Sequence, residues 1–248
     1  MNPSVLVTGG SRGIGAAAAV LAAQRGWDVA INYTRDAAAA ERVAAQVRAA
    51  GRRALVIQAD VAEEAEVLAM FAAVDREFGT LRGLVNNAGV VDLPARVDEM
   101  SLQRLQRMFA INLTGSFLCA REAVRRMSSK HGGAGGVIVN LSSAAARLGS
   151  PGQYVDYAAS KAGIDILTLG LAREVATEGI RVNAVRPGII DTDIHASGGL
   201  PDRARQVAPI VPMQRAGSAD EVAQAIVWLL SDEASYTTGT VLDVTGGR

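Results

Sequence analysis

The chain has 248 residues and a formal net charge of zero, 25 basic side chains against 25 acidic ones. That balance excludes an electrostatic nucleic-acid binder, and one cysteine, Cys119, excludes an internal disulfide framework. Apolar runs such as Ala225 to Leu230 fall far short of the roughly 20 residues that span a bilayer, and Met1-Asn2-Pro3 opens no secretory signal, so a cytoplasmic globule is expected.

Hydrophobic residues make up 49% of the chain and aromatics 4%, so the predicted core is aliphatic. Apolar runs rich in Val, Leu and Ile recur at 4–7, 28–33, 54–58, 83–85, 136–141, 181–185 and 240–244. Most are nearly continuous rather than alternating, as strands buried on both faces of a parallel sheet would be. Helical patterns lie between them, over 14–25, 37–50, 63–78, 102–128, 155–177 and 219–230. The alternation predicts one domain over 1–248, an α/β Rossmann-type doubly wound parallel sheet of about seven strands with helices on both faces. Two stretches interrupt it. Residues 131–136, His-Gly-Gly-Ala-Gly-Gly, read as a flexible turn. The connection 192–214 is long and rich in Gly and Pro, and reads as a lid over a substrate.

The first apolar run ends in Thr8-Gly9-Gly10-Ser11-Arg12-Gly13-Ile14-Gly15 and passes at once into an Ala-rich helix. Glycines there let the backbone turn sharply and approach a pyrophosphate, while the helix N-terminus offers free N–H groups to the anion. The spacing Gly-x-x-x-Gly-x-Gly differs from the Gly-x-Gly-x-x-Gly dinucleotide fingerprint, although its place between first strand and first helix is the same.

Only two of the basic residues are lysines, Lys130 and Lys161, and Lys161 follows Tyr157 by four residues on a helical pattern. One helix face therefore carries both side chains. A phenol titrates near pH 10, and a neighbouring ammonium favours phenolate. Lysine also has rotatable donors suited to ribose hydroxyls.

With these residues in view, the sequence resembles the short-chain dehydrogenase/reductase family over its whole length. The matching motifs are Thr8-Gly9-x-x-x-Gly13-x-Gly15, Asp60, Asn86-Asn87-Ala88-Gly89, Asn112, the serine pair 142–143, Tyr157-x-x-x-Lys161, and Pro187-Gly188 with Thr192. The resemblance implies hydride transfer between a nicotinamide cofactor and a carbonyl/alcohol pair. It implies Tyr157 as general acid/base, Lys161 lowering its pKa and binding the nicotinamide ribose, a serine holding the substrate oxygen, and Asn112 holding a water that links Lys161 to solvent. The implied cofactor set is Gly9, Ser11, Arg12, Gly13, Ile14, Gly15, Asn32, Tyr33, Asp60, Val61, Asn87, Ala88, Gly89, Tyr157, Lys161, Pro187, Gly188, Ile190 and Thr192. Asp60 would accept from the adenine amino group, and Pro187, Gly188, Ile190 and Thr192 would seat the carboxamide.

One departure concerns the serine. The family places it 13 residues before the tyrosine, where this chain has Ala144; Ser143 and Ser142 lie 14 and 15 before. One extra loop residue accounts for the shift, so Ser143 is assigned, with Ser142 as the alternative. The second apolar run ends Asn32-Tyr33-Thr34-Arg35 with no acid before Asp36, which reads as a helix N-cap. Arg12 and Arg35 would attract a 2′-phosphate, so NADP(H) is expected over NAD(H).

His131 and His195, with Cys119, show no metal-ligand spacing, and no metal is expected. Cys119 reads as a buried helix residue, His195 as a lid residue more than a substrate ligand, and Arg121, Arg125 and Arg126 as a solvated helix face. A small-molecule carbonyl or alcohol is the expected partner, without nucleic acid or membrane. A homo-oligomer, a tetramer, is expected from the family and from apolar positions Leu105, Met108, Phe109, Leu113 and Phe117. The competing reading is a non-catalytic NADP sensor or scaffold, which has no need of Ser143, Tyr157, Lys161 and Asn112 together. Oxoacyl-carrier reductase and sugar dehydrogenase both remain open as activities.

Overall fold

Each apolar run forms a strand whose alternate residues serve two different cores, which is why the runs lack polar interruptions. In β1 (Ser4–Val7), Val5 and Val7 enter one core and Leu6 the other. The same division recurs in β5 (Gly136–Leu141), with Val137, Val139 and Leu141 on one face and Ile138 on the other. The computed structural model describes residues 2–192, 198–200 and 202–248. Its other strands are β2 (Asp28–Tyr33), β3 (Ala54–Gln58), β4 (Leu81–Asn86), β6 (Ile180–Pro187) and β7 (Val241–Val244). All seven are parallel, in the order β3-β2-β1-β4-β5-β6-β7.

The first core is covered by α1 (Gly13–Gln24), α2 (Ala37–Ala49) and a late helix, Ala219–Leu230. Alanines 18, 19, 22 and 23 of α1 are buried there, and their short side chains let the helix lie close to the sheet. Under the opposite face, α3 (Glu64–Phe78) contributes Val67, Met70, Phe71 and Val74.

The predicted helix over 102–128 is instead three segments: α4 (Leu102–Phe109), a π turn at Ala110–Thr114, and α5 (Gly115–Met127). A π turn inserts one residue into the helical ladder, and such insertions cluster at functional sites. Here it carries Asn112. At its end Gly115 lies so close to Val61 that a Cβ would stand 2.8 Å from the Val61 carbonyl oxygen.

The 131–136 segment is a turn, but a packed one. A Cβ on Gly133 would collide with Met127 backbone, and one on Gly136 would stand 2.5 Å from Met127 Sδ. Further along come α6 (Ala145–Leu148) and α7 (Val155–Val175). The connection predicted as a lid contains a short helix, α8 (Arg203–Val207), and a 3₁₀ turn, Ala208–Ile210, before α9, the late helix Ala219–Leu230. His195 lies outside the described residues.

Candidate active site

The sheet order reverses between β1 and β4, and loops leaving the C-terminal ends of those strands part to form a crevice. Side chains sew this edge together. Thr8 Oγ1 accepts from the Asn87 and Ala88 N–H groups at 3.0 Å each. Asn87 Nδ2 donates to the carbonyls of Thr8 (2.9 Å) and Gly9 (3.0 Å). Asn32 accepts from Gly9 N–H at 3.1 Å and donates to Ala59 O at 2.9 Å. Its amide is buried and already bonded, so Asn32 braces the glycine loop instead of presenting a polar group to a ligand.

The loop fits a dinucleotide by a test independent of motif. Gly9 and Gly13 hold φ of 61° and 54°, in the left-handed region. A Cβ on Gly9 would stand 3.0 Å from Ala88 Cα, and one on Gly15 2.5 Å from both Asn87 Nδ2 and Gly9 O. No side chain caps α1, in contrast to Asp36 on α2, Ser101 on α4 and Ser218 on α9. Its first N–H groups thus face the crevice end without a competing side-chain oxygen. Ser11 is half-buried and Arg12 exposed beside them.

At the far end of β2, Asp36 Oδ1 accepts from Ala39 N–H at 2.8 Å, the N-cap expected of it. Tyr33 is half-buried, and Arg35 is exposed. After β3, Asp60 Oδ1 accepts from Ala62 N–H at 3.0 Å, turning the chain past the buried Val61.

The serine pair follows β5 directly, and α7 brings Tyr157 and Lys161 against it. Ser143 and Tyr157 line the same cleft, where the Ser143 hydroxyl acts to lower the phenol's pKa. Ser143 Oγ accepts from Ala145 N–H at 3.2 Å. Ser142 also lines the cleft, but it is buried and its hydroxyl donates to the Lys161 carbonyl at 3.2 Å. Between Ser143 and Tyr157 the chain forms α6 and a turn before α7, where Ser150 adopts φ 46° and Gly149 and Gly152 are left-handed.

Lys161 is buried, and its Nζ donates to Leu141 O at 2.7 Å. Burial pushes its pKa down to about 8, against the opposing pull of Asp165. Its Nζ lies 5.8 Å from the Tyr157 ring centre. Burial pushes the Tyr157 phenol above its ordinary value, against the opposing effect of Ser143. Of the three donors on the Lys161 ammonium, the bond to Leu141 O uses one.

Asn112 is buried within the π turn, where its Oδ1 accepts from Val90 N–H at 2.8 Å and its Nδ2 donates to Val90 O at 2.9 Å. It pins the strap leading away from β4. Between them sits Gly89, whose Cβ would lie 3.4 Å from Asn112 Oδ1 and 3.5 Å from Lys161 Nζ. Gly89 keeps that junction narrow.

Ile14, Asn87, Gly89, Ser143, Tyr157, Lys161, Pro187, Gly188, Ile190 and Thr192 line one cleft, so the two predicted ends of the site are continuous. A Cβ on Gly188 would stand 2.8 Å from Thr245 Cα, and Thr192 packs near Gly13.

Sequence reasoning missed several residues here. Tyr154, Arg203 and Arg248 also line the cleft, although they lie far apart in the chain and belong to no motif. Asn86 and Asn140 meet inside the sheet, with Asn86 Nδ2 donating to Asn140 Oδ1 at 3.2 Å, and Asn140 donates to Thr168 Oγ1 at 2.9 Å. Cys119 is core as expected, its thiol pushed up to about 12 by burial. Arg121, Arg125 and Arg126 are not simply solvated. They converge on Glu122, which is buried among them, and Arg121 and Arg126 also reach Glu64 and Asp75.

Residues 9–248 match the family model described as enoyl-(acyl carrier protein) reductase. An uncharacterized oxidoreductase of Escherichia coli K12, YgfF, is 57% identical over 243 residues, covering 98% of each chain. The 3-oxoacyl-[acyl-carrier-protein] reductase FabG of Staphylococcus aureus N315 is 41% identical over 250 residues, covering 100% of this chain and 98% of its own. Among solved structures, a short-chain dehydrogenase/reductase from Serratia marcescens BCRC 10948 superposes with a TM-score of 0.91 at 36% identity, covering 99% of this chain and 97% of that one.

Proposed function

The chain belongs to the short-chain dehydrogenase/reductase family, and from that premise we propose that it transfers a hydride between NADP(H) and a carbonyl/alcohol substrate. The observation that carries this reading is that Ser143, Tyr157 and the buried Lys161 line one cleft together with Ile14 at the start of α1. When bound, the nicotinamide supplies the hydride. The protein's part is to bind, orient and move a proton.

In reduction, the Tyr157 hydroxyl donates its proton to the substrate oxygen as negative charge develops there, and in oxidation it takes the proton back. A phenol held protonated by burial is ready for the first of these. Ser143 donates a second hydrogen bond to the same oxygen. Lys161, with an ammonium freed from Leu141 O, would hold the ribose hydroxyls and bring positive charge toward the phenol. Asn112 keeps the Val90 strap and Gly89 in place behind Lys161, where a water could resupply protons. The uncapped start of α1 with Gly9, Ser11, Gly13, Ile14 and Gly15 would take the pyrophosphate, with Asp60, Val61, Asn87 and Ala88 along the adenine side and Pro187, Gly188, Ile190 and Thr192 at the carboxamide. The spent carboxylate of Asp36 and the exposed Arg12 and Arg35 favour a 2′-phosphate, hence NADP(H).

The same face of α5 and α7 leaves Phe117 and Ile166 exposed, at 49% and 69%, and β7 ends the sheet with an open edge. Two such surfaces support a homotetramer. The reading places the enzyme in the cytoplasm, where NADPH is supplied.

The test is reduction of a panel of ketones and β-ketoesters followed by NADPH consumption. Tyr157→Phe should lower kcat about 10²- to 10⁴-fold, with NADPH binding retained in a fluorescence titration. In the same assay NADPH should exceed NADH in kcat/KM. Unaltered turnover in Tyr157→Phe refutes the acid/base assignment, and a clear NADH preference refutes the cofactor assignment.

A further inference from the structure

The substrate end of the cleft has a charge pattern that the shared catalytic residues do not account for. Its lining includes Arg203 on α8 and Arg248, with no acidic side chain among the described lining residues. Arg203 lies over the Tyr154 ring, 5.2 Å from its centre, and its Nη2 donates to Gln153 Oε1 at 2.7 Å. A neutral amide and an aromatic face therefore position this guanidinium without neutralising it. Arg248 is half-buried, and both burial and the Arg203 charge depress its pKa, so the two cations feel one another.

Asp202, next to Arg203, is exposed and makes only a 3.9 Å contact with Arg205, and Arg248 O accepts from Arg147 Nη2 at 3.3 Å, while three further carboxylates are engaged. Asp156 is buried against Arg104 at 2.8 Å. Asp165 pairs with Arg186 at 2.7 Å. Asp243 takes both Arg147 at 3.0 Å and Arg186 at 2.9 Å. Two like charges brought together in a partly apolar cleft repel one another and gain from an anion between them.

We propose that Arg203 and Arg248 form a specificity site for an oxyanion on the carbonyl substrate, a carboxylate or phosphate held away from the carbon that accepts hydride. This rests on the reductase reading above. The remaining wall, with Val91, Leu148 and Ile189, would take the intervening carbon chain.

The experiment compares ketones with and without the anion: levulinate against methyl levulinate, and dihydroxyacetone phosphate against dihydroxyacetone. The expected result is a kcat/KM about tenfold or more higher for the anionic member of at least one pair. Whichever pair shows it identifies the carboxylate or the phosphate. In Arg203→Gln or Arg248→Gln that ratio should fall toward one through KM, whereas Arg42→Gln, on the exposed side of α2, should keep the wild-type ratio. No anionic preference, or one unchanged in both cleft variants, overturns the proposal. If no ketone is consumed with either cofactor, the reductase reading fails for these substrates and calorimetry decides the anion site by itself. Glutarate or inorganic phosphate binding to NADPH-loaded protein, weakened in Arg203→Gln, supports it. No binding, or equal binding in the variant, overturns it.

Discussion

At the scale of single residues, the site separates two adjacent serines by what their hydroxyls already hold. Ser142 donates to a main-chain carbonyl inside the protein, whereas the Ser143 hydroxyl accepts a main-chain N–H and acts on the Tyr157 phenol. Ser143→Ala should therefore reduce kcat by about 10²-fold or more, in the range of a lost oxyanion donor. Ser142→Ala removes one buried hydrogen bond and should cost about 1 kcal/mol of stability with a much smaller effect on turnover. Steady-state kinetics beside thermal melts checks both, and the reverse ranking refutes the assignment. The motif spacing alone left both serines open, because a one-residue insertion can be absorbed anywhere between β5 and α7.

Among elements, the unit that matters is β1, the glycine loop and α1. Its shape depends on contacts from three other strand ends, through Asn32, Ala59 and Asn87. Gly15→Ala places a Cβ 2.5 Å from Asn87 Nδ2 and Gly9 O. One of those contacts must move, so the variant should lose about 1–3 kcal/mol of stability. It should also bind NADPH more weakly, because the loop that would hold the pyrophosphate shifts. Melting temperature and a cofactor titration measure the two effects; an unchanged titration argues that the loop does not hold the cofactor. The π turn that delivers Asn112 left no readable signature. Its apolar spacing continues across 102–128 without a break, and Gly115 at the end of the π turn approaches Val61 closely.

At the scale of the whole molecule, ion pairs among the described residues run from exposed to buried, and a few, such as those of Asp28 with Arg52 and Asp156 with Arg104, are largely buried. Asp28, at the start of β2, is buried and takes Arg52 at 2.6 Å and Arg53 at 2.8 Å. Those arginine hydrogen bonds outweigh burial and hold its pKa below the ordinary carboxylate range. Since the folded value is depressed, the stabilisation is present above the unfolded carboxylate pKa and is lost as pH falls through the folded one. Asp28→Asn should cost about 3 kcal/mol at pH 7 by leaving Arg52 without its partner. The gap from wild type should narrow below about pH 4 in denaturant melts. A constant gap across that range refutes the linkage. Light scattering tests the tetramer, and Phe117→Asp with Ile166→Asp should produce smaller species. A monomeric wild-type protein refutes the assembly.

The sequence by itself determined the doubly wound sheet, since strands buried on both faces must be apolar throughout and the crossovers between parallel strands must be helical. It also determined the glycine loop and the Tyr157-Lys161 face, because these rest on backbone freedom and helical periodicity, which are local. Tertiary structure decided what each serine hydroxyl is bonded to, that Lys161 donates to Leu141 O, and that Arg203 and Arg248 share one cleft. Those depend on contacts between residues far apart in the chain, where burial and competing hydrogen bonds select among groups that look equivalent in one dimension.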